Sequence, residues 1–157
     1  MVLKLAEGME ARFQVIDTDA FGDSFTMYLH GAGRRGWFQA LRRMPGHDAD
    51  TGLLPLGKGE WRIFLNLIRQ SRFWELPEQF PDPPSTVVAD GEFLDLAGRD
   101  GERYHRIHRF VWREPVLDQV LLFCRRRSGL FVQLPGFWAQ NVPPWHAPDP
   151  AASETSA

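Results

Sequence analysis

The sequence predicts an α+β domain with an antiparallel sheet that is built from two hairpins and carries two main helices on one face. Three observations support this class. Two segments alternate apolar and polar residues around glycine-containing turns, the segment 59–77 has an apolar stripe at helical spacing, and Pro115 opens a second helical segment. Hairpins that are separated by helices are typical of a sheet whose second face stays partly open.

The first predicted hairpin is "RFQVIDTDAFGDSFTMYLHG", residues 12–31. Phe13, Val15 and Asp17 share one face of its first strand, and the same alternation resumes after the turn at Gly22-Asp23. Period-two alternation around a Gly-Asp turn is the usual hairpin signal. Paired carboxylates such as Asp17 with Asp19 are interpreted as ordinary turn residues.

The next segments contain a third strand and then a loop. Gly36 to Leu41 is predicted as a strand. The stretch "PGHDADTGLLPLGKG", residues 45–59, holds four glycines and two prolines and is predicted as a loop.

The clearest helix lies in "GEWRIFLNLIRQSRFWELP", where Trp61, Phe64, Leu65 and Ile68 form one apolar stripe. It should end near Ser71 or Arg72. Three apolar residues should then close over its C-terminal end: Phe73, Trp74 and Leu76. The proline-rich residues 77–90 are predicted to connect it to the second hairpin.

The second hairpin is predicted over residues 91–110, with its turn at Gly98-Arg99-Asp100-Gly101. Proline is favoured at the first position of a helix, so Pro115 should start the last helix. Its predicted apolar stripe comprises Val116, Val120, Leu121 and Cys124, with Leu117 beside it. Arg125, Arg126 and Arg127 occupy the last turn, where positive charge suits the macrodipole, and Gly129 is a plausible cap.

The domain organisation follows from these elements. Residues 1–136 are predicted to form a single α+β domain, in which "LFVQLPGFWAQ" could add a short strand. Residues 137–157 are rich in aromatic residues, proline, alanine and serine, and they are predicted to be a partly disordered tail. The tail aromatics would either fold back onto the domain or insert into a partner's groove.

Composition restricts the compartment and the class of partner. The 157 residues carry a formal net charge of −2, which gives no overall attraction to nucleic acid or to an anionic membrane. Local arginine clusters leave nucleic acid as a minor alternative. A single cysteine excludes an intrachain disulfide, and no apolar run is long enough to span a membrane. We therefore expect a cytoplasmic protein that binds no membrane.

Catalytic and metal sites find little support in the sequence. His105 and His108 are three residues apart, so on a strand they point to opposite faces and cannot converge on one metal ion. His47 with Asp48 and Asp50 has no recognisable ligand spacing, and Cys124 lies on an apolar helix stripe. We predict no metal, no cofactor and no catalytic residue, and hence a protein that is not an enzyme.

The segment "RYHRIHRFVW" is the most informative stretch for binding. On a strand, Ile107 and Val111 would face the helices, while the opposite face carries an aromatic and basic set of residues: Tyr104, Arg106, His108, Phe110 and Trp112. These residue types are enriched at the energetic centres of protein interfaces. The alternative is a solvated face on which a few aromatics shield the sheet.

Four motifs in this order carry a family resemblance: "FGDSFTMYLHG", "GEWRIFLNLIRQSRFWELP", "DGEFLDLAGRDGERYHRI" and a proline-started last helix. Over Phe13 to Leu130 the chain resembles a loose group of small uncharacterised bacterial α+β proteins, some of which are immunity-protein-like. Such proteins are encoded beside secreted antibacterial toxins. The resemblance brings no catalytic motif with it.

These observations predict a non-enzymatic binding protein, with an immunity protein that neutralises a cognate bacterial toxin as the first hypothesis. Its predicted partner-binding residues are Arg106, His108, Trp112 and Trp138, together with the acidic loop residues Asp48, Asp50 and Asp90, which could pair with a basic toxin. The alternatives are a chaperone-like adaptor for a secreted effector, and a small hydrolase that uses His105 or His108.

Overall fold

A computed structural model describes residues 3–19, 22–79, 93–110 and 114–130. The described residues form seven strands, two α-helices and one 3₁₀ helix: β1 (Ala11–Thr18), β2 (Ser24–Ala32), β3 (Arg35–Arg43), β4 (Ala49–Asp50), β5 (Leu54–Pro55), α1 (Glu60–Gln70), the 3₁₀ helix (Phe73–Glu75), β6 (Phe93–Asp100), β7 (Arg103–Phe110) and α2 (Pro115–Ser128). None of the helices in these ranges has the length and apolar character that crossing a membrane requires.

The strands form one antiparallel sheet in the order β4-β3-β2-β1-β6-β7, with β5 also paired to β3. The predicted α+β class is confirmed, but the sheet has more strands than two hairpins supply. The predicted strand Gly36 to Leu41 lies within β3, which extends the first hairpin into a three-stranded meander. The central strand β1 pairs with β6 and so joins the meander to the second hairpin.

Two details of the predicted connections are wrong. The segment 45–59 is not entirely loop, because β4 and β5 within it pair with β3. The second hairpin turns at Gly101-Glu102 rather than at residues 98–101, since Asp100 still pairs with Arg103. Gly101 has φ +59°, a positive angle that glycine adopts without strain at this position of a two-residue turn.

Helix α1 confirms the predicted stripe. It runs from Glu60 to Gln70 and buries Trp61, Phe64 and Ile68. The 3₁₀ helix then places the Phe73 ring in the core, as predicted for the residues that follow the helix. The ring of Phe13 on β1 is the centre of this core. Its centroid lies 5.2–6.3 Å from four aromatic rings, those of Trp61, Phe64, Phe73 and Trp74.

Helix α2 begins at Pro115, and Gly129 follows its last residue in the left-handed conformation with φ 66°. Both features agree with the prediction. Val120, Leu121 and Cys124 of the predicted stripe are buried, and Leu117 beside it is buried too, while Val116 is only half-buried. Cys124 is fully buried, and burial raises the pKa of its thiol, which confirms a structural role in the core.

The interpretation of Asp17 as a turn residue is wrong, whereas Arg125 lies in the last turn of α2 as predicted. Asp17 lies within β1 and is 2% exposed, and Arg125 on α2 is 9% exposed. A guanidinium NH2 group of Arg125 donates a hydrogen bond to Asp17 Oδ2. Burial lowers the pKa of Arg125 to about 10, so its guanidinium is still charged at neutral pH, and its contact with Asp17 links α2 to the central strand.

Candidate functional site

The candidate site is the face of the sheet opposite to the helices, which we call the open face. Phe13, Met27 and Phe38 point from the sheet into the core that α1 and α2 cover. Strand alternation directs the following residues to the open face: Arg12, Gln14, Ile16 and Thr18 on β1; Ser24, Thr26, Tyr28, His30 and Ala32 on β2; Arg35, Trp37, Gln39, Leu41 and Arg43 on β3; Phe93, Asp95, Ala97 and Arg99 on β6; Tyr104, Arg106, His108 and Phe110 on β7. Most of them are half-buried or exposed.

The β3 edge of the sheet is occupied by the chain that follows it. Thr51 N–H donates to the Ala40 carbonyl over 3.0 Å, and Leu56 N–H donates to the Gly36 carbonyl over 2.8 Å. Between these points β4 and β5 pair directly with β3. A further strand therefore cannot add here without displacing these bonds.

The β7 edge is occupied by the chain that leaves the 3₁₀ helix. His108 N–H donates to the Glu78 carbonyl over 2.7 Å. His105 Nε2 lies 2.8 Å from the Leu76 carbonyl oxygen. Because a carbonyl oxygen can only accept a hydrogen bond, Nε2 is the ring nitrogen that donates and therefore carries a proton. Among the described residues, helices cover one face of the sheet and main-chain hydrogen bonds to other segments engage parts of both edges, so the open face is the surface to consider for a partner.

An ion-pair network on β6 and β7 contains two of the predicted binding residues. Asp95 Oδ1 accepts a hydrogen bond from Arg106 NH2 over 3.0 Å, and it lies 2.9 Å from His108 Nδ1. Asp95 is directly opposite His108 in the register, while Arg106 faces the small residue Ala97 and reaches across to the carboxylate. Asp95 raises the pKa of Arg106. Arg106 and His108 are thus held in fixed positions on the surface.

An aromatic pair continues this network towards one end of the strands. The rings of Phe93 and Phe110 stack with centroids 4.6 Å apart, and Phe93 also lies 5.6 Å from the His108 ring. Both phenylalanines are exposed. Exposed aromatic rings beside fixed charged groups form the kind of patch that supplies most of the free energy of a protein interface.

The centre of the open face is polar and aromatic. Gln14 Nε2 donates to the Tyr28 hydroxyl over 3.2 Å, and the Arg12 guanidinium lies 5.2 Å from the Tyr28 ring centroid. His30 stands between Arg12 and Trp37 in the register. Burial, and then the charge of Arg12, lower the pKa of His30, so its neutral form is favoured.

The prediction that the two histidines of β7 point to opposite faces is confirmed. His105 lies on the helix side, where its ring centroid is 5.2 Å from that of Phe73, whereas His108 lies on the open face. Across the described ranges, no three His, Cys, Asp or Glu side chains are grouped so that they could hold a metal ion.

The acidic loop residues Asp48 and Asp50 stabilise their own loop. Asp48 Oδ1 accepts from Met44 N–H over 3.0 Å. Asp50 Oδ1 accepts from Gly52 N–H over 2.7 Å and from the Gln39 side chain over 3.1 Å, and these two hydrogen bonds, in that order, are the main causes that lower the pKa of Asp50.

The structure does not bring these acids together with Arg106 and His108. Asp50 on β4 lies beside the open face, but five strand spacings separate it from β7, which corresponds to roughly 24 Å at about 4.8 Å per strand. The remaining predicted residues, Asp90, Trp112 and Trp138, lie outside the described residues.

Sequence reasoning missed Asp95 and Arg109. Arg109 is 1% exposed and forms a bidentate pair with Glu114, with nitrogen–oxygen distances of 3.0 and 2.9 Å. Its NH1 also donates to the Glu78 carbonyl over 3.0 Å. The available signal was the spacing from Ile107: residues two apart on a strand share a face, so Arg109 lies on the core side with Ile107. No local signal identifies Asp95, because its partners depend on the hairpin register.

Comparison of the chain with protein-family models, curated proteins and solved structures gives no match. The function is therefore inferred from the geometry of the open face.

Proposed function

We propose that the protein is a non-enzymatic binding protein that holds a protein partner on its open face. The observation that supports this most is the Asp95–Arg106–His108 network beside the stacked Phe93–Phe110 pair. Side chains that are already fixed lose little conformational entropy when a partner binds, which favours affinity.

The dimensions of the open face suit such a partner. Its five long strands span about 19 Å across and about 26 Å along the strands, at about 4.8 Å per strand and 3.3 Å per residue. Because side chains that project from the sheet add accessible surface to this flat footprint, the area of the open face is of the order that one partner buries in a standard interface, about 800 Å².

The charge of the open face indicates the chemistry of the partner. Among the open-face residues of the five long strands, five are arginines and one is acidic, Asp95. The arginines are Arg12, Arg35, Arg43, Arg99 and Arg106. A surface with this excess of guanidinium groups is complementary to an acidic protein surface. Pairing of a basic toxin with Asp48 and Asp50 would need a contact area about five strand spacings from Arg106 and His108.

Within this function, neutralisation of a toxin encoded beside this protein is the specific proposal, since occluding a toxin requires an interface and no chemistry. The test is co-expression with the product of the neighbouring gene, scored for rescue of growth and for co-purification. The double variant Arg106→Ala/His108→Ala should lose both. Arg126→Ala removes an exposed arginine from α2 and should retain both.

The same experiment separates the alternatives. A non-toxic neighbour that co-purifies through Arg106 and His108 would favour a chaperone-like adaptor for a secreted effector. Absence of both rescue and co-purification would remove the toxin-neutralising proposal. Unchanged binding by the double variant would remove the open face as the binding site, provided that both variants unfold at the same denaturant concentration as the unmodified protein.

A His-dependent hydrolase is the second candidate, because a carboxylate on Nδ1 is the arrangement that orients a histidine as a general base. Among the open-face residues, however, the hydroxyl side chains of Thr18 and Thr26 lie two and three strand spacings from β7, at least roughly 10 and 14 Å, which is too far for His108 to activate either one. His108 would have to activate water instead. Loss of a hydrolytic activity in His108→Gln, with partner binding retained, would favour catalysis over binding.

A further inference from the structure

The segment before β1, residues 3–8, lies against the open face, and we call it the strap. Met9 N–H donates to the Ala6 carbonyl over 3.0 Å, in a turn that reverses the chain just before β1. On the open face, Arg12 NH1 donates to the Lys4 carbonyl over 2.9 Å. The strap therefore passes over β1 on the side of the sheet that faces away from the helices.

Apolar burial on the same side of the sheet agrees with this position. Leu3 and Ala97 are 9% and 7% exposed. Among the described residues, they are the buried apolar side chains that lie outside the core between the sheet and the helices. Ala97 is on the open face of β6, directly opposite Gln14. Because Leu3 precedes the carbonyl that Arg12 binds, the open face beneath the strap accounts for its burial.

The strap encloses the side chain of Arg12. The guanidinium lies 5.2 Å from the Tyr28 ring centroid and donates to the Lys4 carbonyl. Its Nε atom is buried and has no hydrogen-bond partner among the described residues. A buried N–H group without an acceptor costs free energy, which weakens the closed arrangement. Release of the strap would return the charge of Arg12 to the surface of the open face.

We propose that the strap is autoinhibitory: it covers part of the open face, and a protein partner displaces it on binding. This inference rests on the proposed function. Arg12 lies two strand spacings from β7, roughly 10 Å at about 4.8 Å per strand, so a partner that contacts Arg106 and buries the open face must displace the strap. Displacement frees the Arg12 guanidinium for an acidic partner, which offsets part of the cost of opening.

The first test is the affinity for the product of the neighbouring gene. Leu3→Ala removes apolar surface that the strap buries, so the open face is accessible in a larger fraction of molecules. Its affinity should rise roughly fivefold or more, because the apparent affinity scales with the accessible fraction. Leu53→Ala is the matched control. It truncates an exposed leucine between β4 and β5 and should leave the affinity, measured by titration calorimetry, unchanged.

The second test follows the strap itself by cleavage with a lysine-specific protease. Lys4 and Lys58 are the lysines of the chain, so cleavage after Lys58, in an exposed loop, is the internal reference. Partner binding should speed cleavage after Lys4 relative to Lys58. In the free protein, Arg12→Gln removes the hydrogen bond to the strap and should speed the same cleavage about fivefold. Arg99→Gln, which replaces the arginine directly opposite Arg12, should not.

The outcomes distinguish this inference from the proposed function. Equal affinities of Leu3→Ala and the unmodified chain, or cleavage after Lys4 that partner binding does not speed, would overturn the strap and leave the partner face in place. Absence of binding by both proteins would overturn both proposals. Matching urea midpoints establish that the variants are folded, and Leu3→Ala should keep its midpoint because Leu3 lies outside the core.

Discussion

At the scale of single residues, two buried ion pairs connect the C-terminal helix to the sheet. Arg125 binds Asp17 of the central strand, and Arg109 of β7 binds Glu114 immediately before α2. Buried charges of this kind are tolerated only with well-placed partners, because removing one partner leaves an uncompensated charge in the core. The two pairs fix where α2 lies on the sheet more than they add to stability.

Asp17→Asn should lower the free energy of unfolding by about 3–5 kcal/mol, because Arg125 would keep its charge and lose its carboxylate. The double replacement Asp17→Leu/Arg125→Met should cost much less, since it removes both charges of this pair. Urea unfolding measures both, with the exposed Glu7→Gln as the control. A double variant that is as unstable as Asp17→Asn would contradict this account.

His30 should make stability depend on pH. Its folded pKa lies below the ordinary value of 6.5, so in the folded state it binds fewer protons than in the unfolded state as pH falls below 6.5. The free energy of unfolding should therefore decrease from pH 7.5 to pH 5. His30→Gln should flatten this decrease, which urea unfolding at the two pH values measures. A decrease of the same size in His30→Gln and in the unmodified protein would refute the role of His30.

At the scale of elements, close packing of the 3₁₀ helix against the second hairpin depends on one glycine in a strand. A Cβ atom added to Gly98 would lie 2.7 Å from ring carbons of Phe13 and of Phe73. A glycine inside a strand commonly marks such a close approach. Gly98 therefore lies inside β6, and the turn follows three residues later at Gly101-Glu102.

Gly98→Ala should lower the free energy of unfolding by about 1–3 kcal/mol through overpacking. The cost should fall in a Phe73→Leu background, because the smaller side chain makes room for the methyl group. Chemical denaturation of the four proteins in this double-mutant cycle gives the coupling free energy, expected to exceed about 0.5 kcal/mol. Additive effects would show that the Phe73 ring is not the obstacle.

At the scale of the whole molecule, the charges are unevenly distributed although the formal net charge is only −2. Arginines dominate the charged residues of the open face. A protein with a net charge near zero can therefore still have positively charged surfaces. These surfaces attract acidic partners at a distance, and salt screens the attraction.

If the open face binds an acidic protein, as proposed, the association rate constant should fall as ionic strength rises. The decrease should be shallower for Arg106→Ala and unchanged for Arg126→Ala. Stopped-flow association measured at low and high salt compares them. An association rate that does not respond to salt would contradict an electrostatic role for the open-face arginines.

The candidate site could be predicted in part from the sequence. The alternation in residues 103–110 was sufficient to place Ile107 in the core and His108 on the opposite face. It did not identify Asp95, because that requires the register between β6 and β7, and the turn was predicted too early. It also did not show that Asp48 and Asp50 stabilise a loop, since hydrogen bonds to Gly52 and Gln39 leave no trace in composition.

The sequence by itself determined the α+β class, the end of α1 near Ser71 and the start of α2 at Pro115. These features follow from periodicity, proline geometry and glycine conformation, which act over a few residues. Only the tertiary structure decided the pairing of β1 with β6 and the burial of Asp17 against Arg125. Each of these joins residues that are distant along the chain, and local physical preferences carry no information on which distant segments meet.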